Sequence, residues 1–330
     1  MEVALTESVA VTDPSSIGEA RRTAMMLGQR LGFDETRAGE LTLLAAEVSR
    51  NVLVHGGGGQ IILSGIRNAG SSQARILAMD SGPGISDITK ALDDGYSTAG
   101  TMGGGLGAMK RIASGFEIFT GPNGTIVLLE VGQIQPVSGL DVAGLSLPYP
   151  GEQVCGDAWA CDSTPDRTVV VIVDGLGHGI GAADAAQEAI ATFRKHVDLK
   201  PGAILSYIHD ALRKTRGAVA AVVEIRAQHG ELLYAGVGNV SAVLVQGSGS
   251  RNLLSHNGTL GATAPRIQEF KFEWPSDAML VLHSDGVQTR WDLNTYAGLT
   301  TRRAAVIGGA LLRDFRRHRD DASIVVIKAA

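Results

Sequence analysis

Between Gly132 and Gly139 the chain reads GQIQPVSG, a polar stretch with a proline set between glycines, and helix-period and strand-period segments alternate on both sides of it. That break is the strongest constraint on the fold. Each side has to bury its own apolar faces, so each must close its own layered core of helices against sheet. The 330 residues divide there into residues 1–132, a linker of residues 133–139, and residues 140–330. Hydrophobic residues make up 44% of the chain and aromatics only 5%, so both cores must rest on Ala, Val, Ile and Leu.

In the first segment, residues 17–31 and 38–54 follow a helical period and residues 60–67 and 74–80 read as strands. A glycine-rich stretch over residues 95–107 leads into a short helix ending near Ser114. Strands over 116–120 and 124–131 are joined by Gly121-Pro122-Asn123-Gly124. The second segment opens with strands over 154–161 and 167–174. A long helix is expected over 180–196 and another after Pro201, a residue suited to a first helical turn. Strands follow over 218–226, 231–235, 241–246, 268–274 and 278–284, then a helix over 301–316 and a last strand over 322–328. The fold class is α/β (α+β), with an α/β sandwich on each side of the linker.

The formal net charge of -5 argues against a nucleic-acid or anionic-membrane partner. The start, MEVALTESV, lacks a basic region followed by an apolar run, and the longest apolar stretch, residues 168–173, is far too short to span a bilayer. A cytoplasmic location is expected. On one extended strand Cys155 and Cys161 would stand about 20 Å apart, beyond disulfide reach, so both are expected as reduced thiols.

Three motifs in fixed order carry the chemistry of the first segment. Glu47 and Asn51 lie four apart on one helix face, where a carboxylate can take a hydroxyl proton and a carboxamide oxygen can hold a hard cation. Asp80-Ser81-Gly82-Pro83-Gly84 sets a carboxylate at a strand end beside free backbone N–H groups. Gly103-Gly104-Gly105-Leu106-Gly107 opens a helix and lets the backbone approach a polyphosphate. This order, closed by Gly124-Thr125, resembles the GHKL ATPases over nearly all of residues 1–132, and the run DSGPGISDITKALDDGYSTAG looks closest to RsbT-type switch kinases of stressosomes.

The resemblance implies a Bergerat-type two-layer α/β sandwich that binds ATP with Mg²⁺. It makes Glu47 the base for a serine or threonine hydroxyl and Asn51 the Mg²⁺ ligand. Asp80, helped by Thr125, would take the adenine amino group. Gly82 and Gly84 would line the base pocket, and Gly103, Gly104, Gly105 and Gly107 would wrap the phosphates. His55, one turn beyond Asn51, reads as a helix-end histidine.

The second segment places acids at strand ends. Asp157 follows Gly156, Asp174-Gly175 ends an apolar run, Asp285-Gly286 ends another, and Asp320-Asp321 precedes the last strand. Several carboxylates converging without cations would repel, so the set calls for divalent ions. Two ions about 3.5–4 Å apart can activate water and clamp a phosphoryl group. The runs VDGLGHG, AGVGNV, HSDGV and DDASIVVI resemble the PP2C superfamily in its SpoIIE-like branch, most of all RsbX-type phosphatases.

That resemblance, over residues 140–330, implies an α/β/β/α sandwich with two Mn²⁺ or Mg²⁺. Asp157, Asp174, Asp285, Asp320 and the Gly175 carbonyl would be the ligands, with Asp321 the alternative to Asp320. No side chain serves as nucleophile in the family, so Cys155 and Cys161 need no catalytic role. His178 would either protonate the leaving serine oxygen or cap the helix start. No early phosphate-holding arginine of the kind some PP2C enzymes carry is evident.

Together the resemblances imply a bifunctional regulator of a bacterial stress-response pathway. It would phosphorylate serine or threonine on a STAS-domain antagonist or scaffold protein and remove phosphate from phosphoserine or phosphothreonine. The rival reading makes the first domain an ATP-gated binding module that sequesters a sigma factor or a phosphatase activator. The GHKL resemblance also admits a homodimer.

Overall fold

The computed structural model describes residues 2–68, 70–93, 105–134, 137–262 and 266–330, with the backbone alone for residues 2–5 and 68. It divides into two compact units, Glu2–Gln135 and Pro136–Ala330. Among the described residues no helix is long and apolar enough to cross a membrane.

The first unit runs β1 (Glu2–Val11), α1 (Pro14–Leu31), α2 (Glu35–Gly56), β2 (Gly59–Asn68), β3 (Ser71–Asp80), α3 (Ile88–Leu92), α4 (Leu106–Ile112), β4 (Gly115–Gly121) and β5 (Gly124–Gly132). The strands form one antiparallel sheet in the order β1-β2-β3-β5-β4. Helices α1 and α2 lie on one face, and Leu27, Leu41, Leu44, Val48, Leu63, Ile76 and Leu129 form the core between them. Asp13 caps α1 with Pro14 next in the chain, and Gly32 ends it in the left-handed conformation. Strand β1 and helix α3 are additions to the sequence expectation. The β1 segment EVALTESVAV does alternate, and Val9 and Val11 are both buried.

The second unit runs β6 (Leu140–Leu147), β7 (Asp157–Ser163), β8 (Thr168–Gly175), α5 (Ile180–Lys195), α6 (Pro201–Ala211), β9 (Ala218–Arg226), β10 (Glu231–Val237), β11 (Ser241–Gln246), β12 (Gly249–Leu253), β13 (Phe270–Glu273), β14 (Met279–His283), α7 (Ala304–Phe315) and β15 (Ala322–Ala329). Two five-stranded sheets result, β13-β10-β9-β8-β7 and β12-β11-β14-β15-β6. Helices α5 and α6 pack on the first and α7 on the second, giving an α/β/β/α sandwich. The core between the sheets joins Val170, Ile172, Val223 and Tyr234 to Leu280, Leu282, Val325 and Ile327. The core under α5 and α6 joins Val171, Val173 and Val222 to Ala185, Ala189, Phe193 and Ile204. Strands β6 and β12 were not expected, and β7 begins at Asp157 rather than at residue 154. Cys155 therefore lies ahead of the strand and Cys161 within it, and both are free thiols.

Candidate functional site

In the second unit the chain brings the strand-end acids to one rim. Asp157 opens β7 and pairs in register with Asp174 at the end of β8. Asp285 lies two residues past β14, and Asp320 and Asp321 immediately precede β15, the neighbour of β14. Three of these acids, Asp174, Asp157 and Asp320, feel their neighbours. Burial first, then Asp157, Asp285, Asp320 and Asp321, push Asp174 up to about 9. Burial, with Asp321 and Asp320, pushes Asp157 up to about 7 against the pull of the Ser284 and Ser323 hydroxyls. Asp320 is also raised, by burial first and then by Asp285. Mutual elevation of this kind is the signature of like charges sharing a site.

The surrounding residues hold the rim in shape. Ser323 Oγ donates to Asp157 Oδ2 at 3.0 Å, and the Ser323 amide donates to Ser284 Oγ at 3.0 Å. Asn239 Nδ2 donates to Asp285 Oδ2 at 2.6 Å. The Tyr149 amide donates to Asp321 Oδ1 at 2.7 Å, while Asp321 Oδ2, on a residue only 2% exposed, has no hydrogen-bond partner among the described residues. Asp320 stands further out on the rim, and its Oδ1 accepts from the Asp321 amide at 3.0 Å.

The glycines beside the acids serve close packing rather than a turn. None of Gly156, Gly175 and Gly286 has a positive φ. A Cβ on Gly156 would lie 2.6 Å from Asp321 Oδ2, one on Gly175 would strike the Ala182 carbonyl of α5, and one on Gly286 would strike the Asp321 carbonyl. By contrast Gly177 (φ 85) and Gly179 (φ 73) do need left-handed backbone, in the turn that leads into α5.

Hard oxygen donors, three elevated carboxylic acids and an orphaned buried oxygen fit divalent cations of the Mg²⁺ or Mn²⁺ kind. Among the described residues no three His, Cys, Asp or Glu side chains converge on one ion-sized point, so the acids form a rim rather than a closed cage. Cys155, beside this rim, is pushed up by burial and then by Asp157 and Asp321, and Cys161 is pushed up to about 11 by burial. Both stay thiols at neutral pH, which suits neither a nucleophile nor a metal ligand.

His178 does not cap α5. The cap residue is Gly179, and no side chain bonds the first turn. The imidazole is half-exposed instead, with Nδ1 3.0 Å from Glu152 Oε1 and its ring stacked on Tyr149 at 4.4 Å between centroids. Glu152, Asn239, Ser284 and Ser323 were not singled out in the sequence. The runs AGVGNV, HSDGV and DDASIVVI hold Asn239, Ser284 and Ser323, but partnership across 26 or 46 residues, as for Glu152 and Asn239, leaves no local pattern.

In the first unit Asp80 closes β3, and its Oδ1 accepts from the amides of Gly82 at 2.9 Å and Thr125 at 3.1 Å. Oδ2 has no partner among the described residues. Glycine packing shapes the floor: a Cβ on Gly82 would lie 2.9 Å from Gly56 Cα, and one on Gly56 or Gly124 would strike Asp80 itself. Gly84 (φ 77) lies against Gly121, and Thr120 Oγ1 bonds Thr125 Oγ1 at 3.0 Å and the Ile85 amide at 2.9 Å. A carboxylate with one oxygen fixed and one unspent, on a glycine floor, fits an amino-bearing base such as adenine. Glu47 sits on α2 beside Arg50 at 3.5 Å, with Asn51 half-buried on the same helix. Gly105 caps α4 and Gly107 is buried in its first turn, whereas Gly103 and Gly104 lie outside the described residues.

A family described as "Stage II sporulation protein E (SpoIIE)" matches residues 164–330, and "Histidine kinase-like ATPase domain" matches residues 10–131. The serine/threonine-protein kinase RsbT of Bacillus subtilis (strain 168) is 35% identical over 99 residues, covering 30% of this chain and 74% of RsbT. The phosphoserine phosphatase RsbX of the same organism is 23% identical over 156 residues, 47% of this chain and 78% of RsbX. The solved structure of RsbX in complex with magnesium superposes with a TM-score of 0.53 at 19% identity, over 60% of this chain and 99% of that one, which shows the shared fold. The chain therefore belongs to the SpoIIE family through its second unit, and carries ahead of it an RsbT-related histidine-kinase-like ATPase domain.

Proposed function

We propose that the chain is a two-activity phospho-switch: a metal-dependent phosphoserine/phosphothreonine phosphatase in the second unit and an ATP-dependent serine/threonine kinase in the first. The observation that carries the reading is the rim of five carboxylates, three of them (Asp157, Asp174 and Asp320) pushed up by burial and by their acidic neighbours, with one buried oxygen left over. Asp157, Asp174, Asp285, Asp320 and the Gly175 carbonyl would hold two Mg²⁺ or Mn²⁺, which would supply water activation and charge neutralisation on the phosphoryl group. Asn239, Ser284 and Ser323 fix the directions of those carboxylates, the office of outer-shell partners in metal sites. His178 delivers a proton to the leaving seryl oxygen.

In the first unit, Asp80 Oδ2 accepts from the adenine amino group while Thr125 steadies the pair. Glu47 takes the proton of the attacking hydroxyl, and its long, half-exposed contact with Arg50 is weak enough to yield. Asn51 would hold Mg²⁺ against the phosphates, and Gly105 with Gly107 lets the chain approach them. Likeness to RsbT and RsbX supports a partner-switching stress pathway in which both units act on a STAS-domain protein.

Intact mass of a STAS-domain protein from the same genome tests this. ATP with Mg²⁺ should add about 80 Da to the unmodified protein, one phosphoryl group, and Mn²⁺ without ATP should remove it from the phosphorylated one. Glu47→Ala should abolish only the gain and Asp174→Asn only the loss. Loss without gain leaves the phosphatase and makes the first unit a binding module.

A further inference from the structure

We propose that Glu152 is a positioning residue for phosphatase chemistry, the orienting carboxylate of a Glu152–His178 pair that presents His178 as general acid; this rests on the phosphatase reading above. Two contacts hold the imidazole and a third holds its backbone. Glu152 Oε1 lies 3.0 Å from Nδ1, the Tyr149 ring stacks on it at an interplanar angle of 17°, and Arg216 reaches its backbone carbonyl at 3.5 Å. A carboxylate can only accept, so Nδ1 carries the hydrogen and donates. That leaves Nε2, which has no partner among the described residues, open to a substrate. Orienting an imidazole through its far nitrogen is how a carboxylate sets both tautomer and direction.

The loop that supplies Glu152 also belongs to the acid rim. Tyr149, the stacking residue, donates its amide to Asp321 Oδ1, Glu152 turns back on the Tyr149 carbonyl at 2.9 Å, and Arg316 donates to the Pro148 carbonyl. One short segment thus ties the acids to the imidazole. His178 is near enough to the rim to bear on Asp320.

In the step itself, a water oxygen forms the new P–O bond as the bond from phosphorus to the seryl oxygen breaks. In its imidazolium form His178 passes the Nε2 proton to the seryl oxygen, which gives serine and inorganic phosphate and leaves a neutral ring with its hydrogen on Nδ1. The water's proton goes to solvent, and His178, half-exposed, takes one back from solvent, so the balance closes as phosphoserine plus water.

The test compares the Mn²⁺-loaded full chain on two substrates. A phosphoserine peptide has an alkoxide leaving group that needs a proton, whereas p-nitrophenyl phosphate has a phenolate that does not. Glu152→Gln should lower the ratio of kcat on the peptide to kcat on the aryl ester by roughly 10- to 100-fold, with KM for the peptide little changed. Glu152→Asp should recover part of that ratio. Glu152→Gln added to His178→Ala should cost nothing further, as expected of residues acting as a unit. Equal losses on both substrates, or an unchanged ratio in Glu152→Gln, would overturn the pairing. A wild-type chain with no Mn²⁺-dependent release from either substrate would overturn the phosphatase reading, and the pairing with it.

Discussion

Asp80 and Asp157 look alike in the sequence, each an acid at the end of an apolar strand with a glycine close by, yet the fold treats them in opposite ways. Asp80 has one oxygen spent on two backbone amides and, among the described residues, no acid partner. Asp157 is 4% exposed, is held by serine hydroxyls, and faces Asp321 and Asp320. The first is a hydrogen-bonding edge with one oxygen held by backbone and the other open to a donor. The second is an unfinished electrostatic arrangement whose completion has to come from outside. Strand-end acids therefore divide by what surrounds them in space, and only the second kind implies a cation.

The sharpest way to break the contrast is pH. Asp174 and Asp157 have folded pKa values raised to about 9 and about 7, so between the ordinary carboxylate range and those values the folded chain binds more protons than the unfolded one. Stability of the second unit in chelator should then fall as pH rises, by up to about 4 kcal/mol from Asp174 alone between pH 5 and 8. Mn²⁺ should restore most at the alkaline end, and Asp174→Asn should flatten the slope. Tryptophan fluorescence reads this unit selectively, because Trp159, Trp274 and Trp291 are the three tryptophans of the chain and all lie in it. A melting temperature independent of pH would erase the distinction between the two acids.

Next in size is Asp80→Asn. The amide nitrogen can no longer accept from an amino group, and a lost bond to a charged partner costs about 1.5–3 kcal/mol, so ATP affinity by calorimetry should drop roughly 10- to 100-fold. Release of phosphate by the second unit should be unaffected.

The smallest effect is expected from Ser323→Ala. It removes one hydroxyl from a buried carboxylate, at about 1–3 kcal/mol in the stability of the metal-loaded second unit. Loss of stability equal with and without Mn²⁺ would show that the hydroxyl serves packing and not the rim.

Much of this was legible beforehand for a physical reason. The apolar runs before Asp174 and Asp285 are too continuous for a one-sided strand, and they are indeed buried throughout, as expected between two layers. Strand β1 carried its alternation openly, but the charged Glu2 and Glu7 and the short apolar content masked it. Strand β12, with GSRNL mostly exposed, is an edge held by its pairing with β11 and has no hydrophobic signature to find. The site partners were hidden for a different cause. Ser323 is legible only once β14 and β15 are adjacent, and Glu152 only once its loop folds back over the turn before α5. The Asp-Gly pairs were visible, while the reason for the glycines, room for Asp321 and α5, was not.

The raised thiols have a consequence for how such a chain ages. Oxidation by peroxide starts from thiolate, and burial together with neighbouring acids keeps Cys155 and Cys161 almost wholly protonated at neutral pH. Neither should climb readily to sulfenic acid, so the acid rim can sit beside a cysteine without inheriting a redox sensitivity from it.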